Sequence, residues 1–443
     1  SAGEAFDGLS LISPRGTEES FLIDLDYNVI RSWRGANSPA EIAYLLPGNA
    51  VIRPTAADSL TWGGGGRGGR IQRIRSNGEI DWDFRVADDR YLQHHDIEPL
   101  PNGNVLVLAW ERIGTEAAQA AGRQQLSDGE IWPTIILEYE RVGLTEARIV
   151  WQWRLWDHVV QDVDPDLPNY GVVRDHPERM DINFGAARNG GDWDHANALS
   201  YNPTRDQIVF CALRMNQFFV IDHSTSTEEA AGSTGGRGGK GGDFLYRWGN
   251  PASYDREDTG SRYYYKIHGA AWIDCGVPGE GGVMTFTNGT RRPGGPFSSV
   301  EEIQPPVDLD GNYMIEPGRA FGPESPSWSY SGPPKFYSTN KSGAFRLPNG
   351  NTLVTSANES YVFQVTREGD VVWEYTAPNE VHRAPAYWSE ATPRVVRLDI
   401  KPGSCPNIFN ARPFDRRGGG PENSLRAMGG VLPAAIVGSE CLD

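Results

Sequence analysis

The chain has 443 residues, enough to bury a large core, and its 52 glycines and 31 prolines favour many turns over long helices. We therefore predict an all-β fold. The 41 basic and 58 acidic residues give a formal net charge of −17, which argues against nucleic acid or an anionic membrane as the main partner.

Hydropathy, the first residue and the cysteines bear on the compartment. No apolar run approaches the ~18 residues that a membrane span requires. The chain begins at Ser1 rather than Met, as a processed secreted protein would, so we expect a periplasmic or extracellular location. The cysteines form no CxxC motif or metal-binding spacing; Cys405 and Cys441 could pair, but the sequence does not establish their connectivity.

An aromatic motif recurs after short apolar strands along the chain. Its six copies are NVIRSW, GEIDWDF, ARIVWQW, DFLYRW, SWSY and GDVVWEY. Several copies follow a strand and a polar turn, as in IQRIRSNGEIDWDF, which is typical of a hairpin with an aromatic outer strand. Because four-stranded units cannot bury both faces alone, six copies predict a six-bladed β-propeller over residues 1–393. We expect its tryptophans to wedge between blades.

Two glycine-rich stretches and one long insertion interrupt this repeat. WGGGGRGGR at 62–70 and GSTGGRGGKGG at 232–242 are interpreted as flexible rim loops. The second stretch lacks the first glycine, and the Ser or Thr after its lysine, that a phosphate-binding loop requires. The insertion from Trp156 to Trp193 is long enough to form a functional lid or rim.

We expect no cofactor, with structural calcium as an alternative. The acidic turn DVDPDLPN, Asp162 to Asn169, could bind calcium through its carboxylates. It lacks the later glycine and glutamate of an EF-hand loop, so a solvated turn is the favoured interpretation.

The composition changes near Pro393. VVRLDIKPGSCPN and GGVLPAAIVGS predict strands of a separate small β element at 394–443, which could be truncated at Asp443. LDIKPGSCPN resembles a short module appended to assorted secreted bacterial proteins. Self-assembly through this element is therefore an alternative to consider.

Three histidines precede comparable hairpins. His95 and His268 each lie five residues before a turn-opening Leu or Ile, and His195 also precedes a turn and an apolar strand. Ser342 holds the same place in SGAFRLPNGNTLV. After His95, the Asn-Gly turn and the run Val105 to Ala109 predict a strand buried on both faces. Equivalent hairpins would bring these positions together at the mouth of the propeller axis.

Converging imidazoles can bind a metal, transfer protons or act as nucleophiles. Arg214, in CALRMNQFFVID after His195, adds a fixed planar donor for an oxyanion, and Arg291 and Arg292 add further positive charge. This combination suits the transfer of an anionic group better than a three-histidine zinc site, because fixed cations oppose a metal cation. Alternatively, each histidine bonds a nearby carbonyl and each arginine pairs at the surface.

The remaining histidines carry less information. Two interpretations, as structural loop residues or as site residues, stay equally open for His158, His176 and His223. His382, in PNEVHRA after the sixth aromatic copy, is predicted to face a rim.

Several separated motifs resemble one family. HHDIEPLPNGNVLVLAWE, DWDHANALSYNPTRDQIVF, VIDHSTSTEEA, LYRWGNP, IHGAAWI and SGAFRLPNGNTLV are similar to those of the bacterial arylsulfate sulfotransferases, from roughly Leu9 to Pro378. The resemblance implies a six-bladed propeller that moves a sulfuryl group from a phenolic sulfate donor to a phenol acceptor. The implied route is ping-pong and uses no nucleotide sulfate donor.

The resemblance also implies roles for individual residues. His268 matches the nucleophile that becomes transiently sulfated on nitrogen, and His195 matches a partner histidine in a DW-x-H-x-N stretch. Arg214 matches the sulfate-binding arginine. His95 matches a histidine lining the pocket, with its neighbour His94 as the alternative.

The implied chemistry needs neutral imidazole as nucleophile and charged groups around the sulfuryl oxygens. In-line attack by His268 would be assisted by Arg214 and a protonated imidazole. We expect Asn197 and Asn288 to orient these groups and Arg291 to contribute to substrate binding.

Two other functions stay open at this point. A secreted propeller used for binding or surface assembly would keep the scaffold with an idle pocket, and a tail inserted into a neighbouring molecule would favour it. A quinone-dependent dehydrogenase also repeats tryptophan, but the six copies, the absence of an adjacent cysteine pair and the histidine motifs argue against it.

Overall fold

The computed structural model describes residues 4–126, 128–187, 190–257, 261–332, 336–387, 399–400 and 409–410. Within them, six four-stranded antiparallel sheets follow one another along the chain, which confirms the predicted all-β, six-bladed propeller. We number the sheets as blades 1 to 6 from the N-terminus. In each blade the strand at one edge of the sheet lies nearest the axis, and the strand that carries the aromatic motif forms the opposite, outer edge.

The strands are short and are joined mainly by turns. Blades 1 and 2 contain β1 (Leu9–Ile12), β2 (Glu19–Ile23), β3 (Val29–Arg34), β4 (Tyr44–Leu46), β5 (Ala50–Ala56), β6 (Gly69–Ile74) and β7 (Ile80–Arg85). Blade 3 and its insertion contain β8 (Tyr91–Pro99), β9 (Val105–Glu111), β10 (Ile113–Gly114), α1 (Thr115–Ala120), β11 (Glu130–Ile131), β12 (Thr134–Arg141) and β13 (Ala147–Arg154).

The second half of the chain repeats this plan. The long insertion and blade 4 contain β14 (Val159–Val160), β15 (Met180–Asp181), β16 (Ala196–Asn202), β17 (Gln207–Ala212), β18 (Gln217–Asp222), α2 (Thr227–Ala230) and β19 (Tyr246–Trp248). Blades 5 and 6 and the last strands are β20 (Ile267–Trp272), β21 (Val283–Thr287), β22 (Ser299–Ile303), β23 (Trp328–Tyr330), β24 (Gly343–Arg346), β25 (Thr352–Ser356), β26 (Tyr361–Val365), β27 (Val371–Thr376), β28 (Ala386–Tyr387), β29 (Asp399–Ile400) and β30 (Phe409–Asn410). Single 3-10 turns occupy Pro47–Asn49, Leu155–His158, Val173–Asp175, Pro251–Tyr254 and Ala357–Glu359.

The two ends of the propeller close the ring in blade 1. Strand β28 pairs antiparallel with β1, through Leu9 opposite Tyr387 and Ser10 opposite Ala386. Blade 1 is therefore built from one C-terminal inner strand and three N-terminal strands. This pairing joins the two ends of the described propeller within one sheet.

The tryptophans of the aromatic motif join each blade to the next. In every blade, one outer-strand indole N–H donates to a backbone or hydroxyl oxygen of the following blade. These bonds are Trp33 to Asn49 O, Trp82 to Glu146 O, Trp151 to Thr225 Oγ1, Trp248 to Pro323 O, Trp328 to Arg367 O and Trp373 to Leu25 O. The last bond runs from blade 6 to blade 1, so the predicted wedges form a closed ring of contacts.

Strand β9, predicted as a strand buried on both faces, is buried at all of its positions. It lies between β8 and β12, and its side chains contribute to the cores on either side of the blade. The inner strands of such a blade are held rigidly, which fixes residues at their ends.

The small C-terminal β element is described only through the antiparallel pair β29 and β30. The boundary near residue 394, the pairing of Cys405 with Cys441 and assembly through this element lie otherwise outside the described residues and stay predictions. Cys211 is a buried free thiol. In the part of the chain that is described, no helix is long and apolar enough to cross a membrane.

Candidate active site

Irregular backbone at the start of the inner strands carries the three predicted histidines. His268 is the extra residue of a β-bulge, because Ile267 and Gly269 pair with consecutive residues of β21. His95 lies inside a larger irregularity of β8, and His195 directly precedes β16. His95 and His195 both adopt left-handed backbone with φ of 53°. Bulges and left-handed residues redirect side chains, and here they turn imidazoles toward the axis.

The three imidazoles meet as the sequence predicted. The ring centroids of His95 and His195 are 4.8 Å apart, and those of His95 and His268 are 6.2 Å apart. His94 instead stacks on Trp110 at 3.9 Å, while its Nδ1 lies 2.9 Å from Nδ1 of His95. His95, rather than His94, is therefore the member of this cluster.

The partner of His268 defines its tautomer. Nδ1 of His268 lies 2.7 Å from Oδ1 of Asn288. The Asn288 amide nitrogen donates to the carbonyls of Ser338 at 2.8 Å and Lys341 at 3.1 Å, so its oxygen must face the imidazole. His268 Nδ1 consequently carries the proton, and Nε2 keeps a lone pair with no hydrogen-bond partner among the described residues.

A buried carboxylate joins His195 to Arg214. Asp192 Oδ2 lies 2.6 Å from His195 Nδ1 and 2.8 Å from Arg214 Nη2, and the Asp192 carbonyl also accepts from Arg214. Burial raises the pKa of the Asp192 carboxyl, but His195 and Arg214 outweigh burial and lower it, so the group is a carboxylate. Arg214 lies on the turn between β17 and β18 rather than on a strand.

Asp192 is a further residue of the site that was not predicted from the sequence. It lies at the end of the long insertion, three residues before His195, within the DW-x-H-x-N stretch. A carboxylate at that spacing beside a candidate histidine was a usable signal. The last residues of the insertion supply this anchor, and its role as a functional lid or rim stays a prediction.

Burial keeps two of the imidazoles uncharged. It lowers the pKa of His268 well below its ordinary value, and nearby His382 and His195 lower it further, although the Asn288 hydrogen bond opposes them. The pKa of His95 is also well below its ordinary value, mainly through burial and then through His195 and His94. At neutral pH both rings are therefore neutral, and Nε2 of His268 carries a lone pair rather than the proton of an imidazolium.

The first glycine-rich stretch does more than form a rim. Gly66 has φ of 80°, and its carbonyl accepts a 2.8 Å hydrogen bond from the His95 backbone N–H. A Cβ added to Gly66 would lie 2.2 Å from Cε1 of His95, and one added to Gly64 would lie 3.1 Å from Oδ2 of Asp192. The interpretation as a flexible loop is therefore corrected: glycine is needed here because this loop lies directly on the site.

The other predicted substrate-binding residues differ in placement. Asn197 is buried, donates to the carbonyl of Ile267 at 3.4 Å and accepts from the Cys211 thiol, so it supports the backbone before His268. Arg291 is exposed on the turn after β21, and within the described residues no contact joins it to the histidines. Arg292 donates to Ser299 Oγ at 2.6 Å and stacks on Phe297.

The remaining histidines divide into structural and axial groups. His158 pairs with Asp243 at 2.8 Å, His176 with Glu178 at 2.9 Å, and His223 lies between Asp206 at 2.7 Å and Glu138 at 3.1 Å. His382 is fully buried and its ring centroid lies 6.1 Å from that of His268. The prediction of a rim position for His382 is thus wrong, since the closing strand β28 brings it to the axis.

The predicted calcium turn makes local bonds and also contacts the chain after α1, where the Asn169 amide nitrogen donates to the carbonyl of Ala121 at 2.9 Å. Asp164 Oδ1 accepts from the Asp166 N–H at 3.0 Å. In the described ranges no group of three or more His, Cys, Asp or Glu side chains is placed to hold a metal ion. Calcium at this turn stays an untested alternative.

Three solved structures resemble the chain at very low sequence identity. A protein of unknown function from Bacteroides caccae has 9% identity and a TM-score of 0.43, covering 86% of this chain and 98% of that one. Virginiamycin B lyase from Staphylococcus aureus has 10% identity and a TM-score of 0.36, covering 83% and 80%. The calcium-binding protein regucalcin from Agrobacterium tumefaciens has 9% identity and a TM-score of 0.37, covering 86% and 99%.

No curated protein matches the chain significantly. The sequence profile described as Arylsulfotransferase (ASST) matches residues 52–300, more than half of the chain. The matched region contains His95, His195, Arg214, His268 and Asn288, the residues that the propeller gathers at one end of its axis. The chain therefore belongs to the arylsulfotransferase (ASST) family.

Proposed function

We propose that this protein transfers a sulfuryl group from a phenolic sulfate to an acceptor phenol through a sulfohistidine at His268. The observation that carries the proposal is the fixed tautomer of His268. Its Nδ1 proton is held by Asn288, so a neutral Nε2 lone pair is available beside two further imidazoles. A buried neutral imidazole with a defined tautomer is the form that acts as a nucleophile.

In the first half-reaction, the lone pair of His268 Nε2 forms a bond to sulfur. The bond between sulfur and the aryl oxygen breaks, and that oxygen leaves with the electron pair as phenolate. In the second half-reaction, the oxygen of the acceptor bonds to sulfur and the N–S bond breaks, returning the electron pair to Nε2. No nucleotide donor is required, because the phenolic ester already carries the sulfuryl group.

His195 and Arg214 would stabilise the charge on the sulfuryl oxygens during both steps. Arg214 offers a permanent planar cation, and the Asp192 carboxylate holds it beside His195. Because this carboxylate contacts both side chains, the site can present the Arg214 guanidinium and the His195 imidazole to one anionic group. Preorganised donors of this kind are a major source of rate enhancement when charge moves in the transition state.

The same proposal places the reaction in the periplasm or outside the cell, without a bound cofactor. The formal net charge of −17 disfavours the approach of small anionic substrates. Recognition of an anionic sulfate ester must therefore rest on the local groups Arg214 and His195.

The proposal is tested with 4-nitrophenyl sulfate as donor and phenol as acceptor. We expect one rapid equivalent of nitrophenol per enzyme without acceptor, then continued release with formation of phenyl sulfate when phenol is added. An R214K variant keeps the charge but loses the planar donor, and should be much slower. No release from any of several aryl sulfates would overturn the proposal and favour a propeller used for binding or assembly.

A further inference from the structure

The cluster of three histidines belongs to a ring of six equivalent positions. Each position lies five residues before a residue that is in its inner strand or directly after it. From blade 2 to blade 6 and then blade 1, these later residues are Leu46, Leu100, Ser200, Ile273, Leu347 and Tyr387. The ring residues of blades 1 to 6 are His382, Glu41, His95, His195, His268 and Ser342. One side of this ring is formed by His95, His195 and His268, which lie in the region matched by the family profile. The other side carries Glu41 and His382.

Glu41 and His382 form a buried pair across blades 2 and 1. His382 Nδ1 lies 2.7 Å from Glu41 Oε2, a short contact that is poorly aligned for a hydrogen bond. Both side chains are almost completely buried, at 0% and 3% exposure. Nε2 of His382 is buried without a hydrogen-bond partner among the described residues. With Glu41 beside Nδ1, the proton belongs on that nitrogen and Nε2 is left as a base.

The His382 ring is also close to the proposed nucleophile, at 6.1 Å between centroids. An oxygen poised to attack sulfur lies about 3–3.5 Å from it. An acceptor phenol approaching a sulfuryl group on His268 Nε2 therefore comes close to the next imidazole of the ring.

We propose that His382 is the general base for the acceptor phenol and that Glu41 is its positioning residue. This inference rests on the proposed function and assigns its second half-reaction. The phenol O–H proton passes to Nε2 of His382 as the phenol oxygen bonds to sulfur and the N–S bond at His268 breaks. The resulting imidazolium lies beside the Glu41 carboxylate and then loses its proton to solvent or to the next departing phenolate.

The other imidazoles are less suited to this step. His95 shares its Nδ1 contact with His94 rather than with a carboxylate, so a proton taken there would have no counter-charge. His195 shares Asp192 with Arg214 on the side assigned to the sulfuryl oxygens. Among the ring histidines in the described residues, His382 is the one with a buried carboxylate that no arginine side chain contacts directly.

Several charged groups face this pair and shape its titration. Arg383 and Asp96 act on His382, together with its partner Glu41, and Arg15 and Lys341 act on Glu41. The neighbouring rings are His268 and His95. Burial lowers the pKa of His382, and burial of Glu41 is outweighed by His382, so its pKa is lowered too. At neutral pH the pair therefore consists of a carboxylate and a neutral imidazole, which is the state that a base requires.

The test separates the two half-reactions in stopped flow. The burst of nitrophenol from 4-nitrophenyl sulfate reports sulfation of the enzyme, and later turnover with added phenols reports transfer. For H382N we expect a burst within about twofold of wild type and a transfer rate about 100-fold lower with weakly acidic phenols. The defect should shrink for phenols that are already ionised at the assay pH, because they need no base. E41Q should show a smaller defect of the same kind and a displaced pH profile of transfer.

The matched control is H158N, which removes another buried histidine paired with a carboxylate, Asp243, away from the axis. It should leave both phases unchanged. If H382N does not fold, the test rests on E41Q, whose transfer rate is compared between weakly acidic phenols and phenols that are already ionised. A burst slowed as much as transfer, or a transfer defect equal for all phenols, would assign the pair a structural role. Absence of a burst in the wild-type protein would instead overturn the proposed function.

Discussion

The two sides of the axial ring use one backbone position for different chemistry. On the side of blades 3 to 5, bulges or left-handed backbone redirect His95, His195 and His268. Asn288 contacts Nδ1 of His268, and Asp192 contacts Nδ1 of His195. On the side of blades 1, 2 and 6, the pair Glu41 and His382 meets at 2.7 Å. In the proposed mechanism, the first side binds and accepts the sulfuryl group, and the second side takes up a proton.

Propeller symmetry alone therefore does not create the site. Every blade offers an equivalent inner-strand position, but only side chains with a fixed partner acquire a definite protonation state. Ser342 illustrates the opposite case, since its Oγ accepts from the Ala357 N–H at 2.9 Å and serves the backbone. Substitutions on the first side should therefore abolish formation of the sulfo-enzyme, whereas substitutions on the second should slow its discharge.

The largest expected effect comes from H268N. Removing the nucleophile should lower both the burst and the turnover by at least about 1,000-fold, because both half-reactions pass through Nε2. Stopped-flow release of nitrophenol and a thermal melt measure activity and folding on the same sample. A folded variant with a normal burst would move the nucleophile elsewhere on the ring.

D192N should be the next most damaging change. The neutral amide loses the charge that anchors both His195 and Arg214, so kcat/KM for the donor should fall by about 100-fold. D243N is a suitable control, because Asp243 pairs with His158 outside the ring. An unchanged kcat/KM in D192N would show that His195 and Arg214 do not need this anchor.

G66A tests whether the glycine-rich loop is part of the site. The new Cβ would lie 2.2 Å from the His95 ring, and we expect about a 10-fold loss of burst rate as that ring is displaced. Gly78 has a similar φ of 86° with nothing within 4 Å of an added Cβ. G78A therefore isolates backbone strain, and an equal loss of activity in both variants would contradict the proposed contact.

The smallest expected effect is that of pH on enzyme sulfation. Burial holds the pKa of His268 well below its ordinary value of 6.5, so acidification from pH 8 to pH 6 leaves the nucleophile neutral. The burst rate should change by less than about twofold over this range, while transfer to phenol depends on the base on the opposite side. A burst that falls in step with protonation of an ordinary imidazole would show that His268 is not shielded by burial.

Much of this arrangement could be predicted from sequence, because it depends on local repeats. The outer-strand indoles recur once per blade, and each joins the next blade, so counting them gave the architecture. The spacing between a histidine and its hairpin located His95, His195 and His268. Asn288 was identified as an orienting residue, although nothing in the sequence specified that it would fix a tautomer.

Other features of the site depend on closure of the propeller ring, so counting local repeats along the sequence could not predict them. His382 reaches the axis only because β28 completes blade 1 with strands from the other end of the chain. Glu41 occupies the same register but is not a histidine, so a search for one residue type missed it. Gly66 shows that glycine content alone does not distinguish a mobile loop from one held close to an imidazole.

The central claim is tested most directly by mass spectrometry of the peptide that carries His268. The protein would be exposed briefly to 4-nitrophenyl sulfate without acceptor, digested at a pH that preserves N-sulfoimidazole, and compared with H268N. The account predicts one sulfuryl adduct on His268 that disappears when phenol is added before digestion. An adduct on another residue, or no adduct in a protein that still transfers sulfate to phenol, would contradict the account.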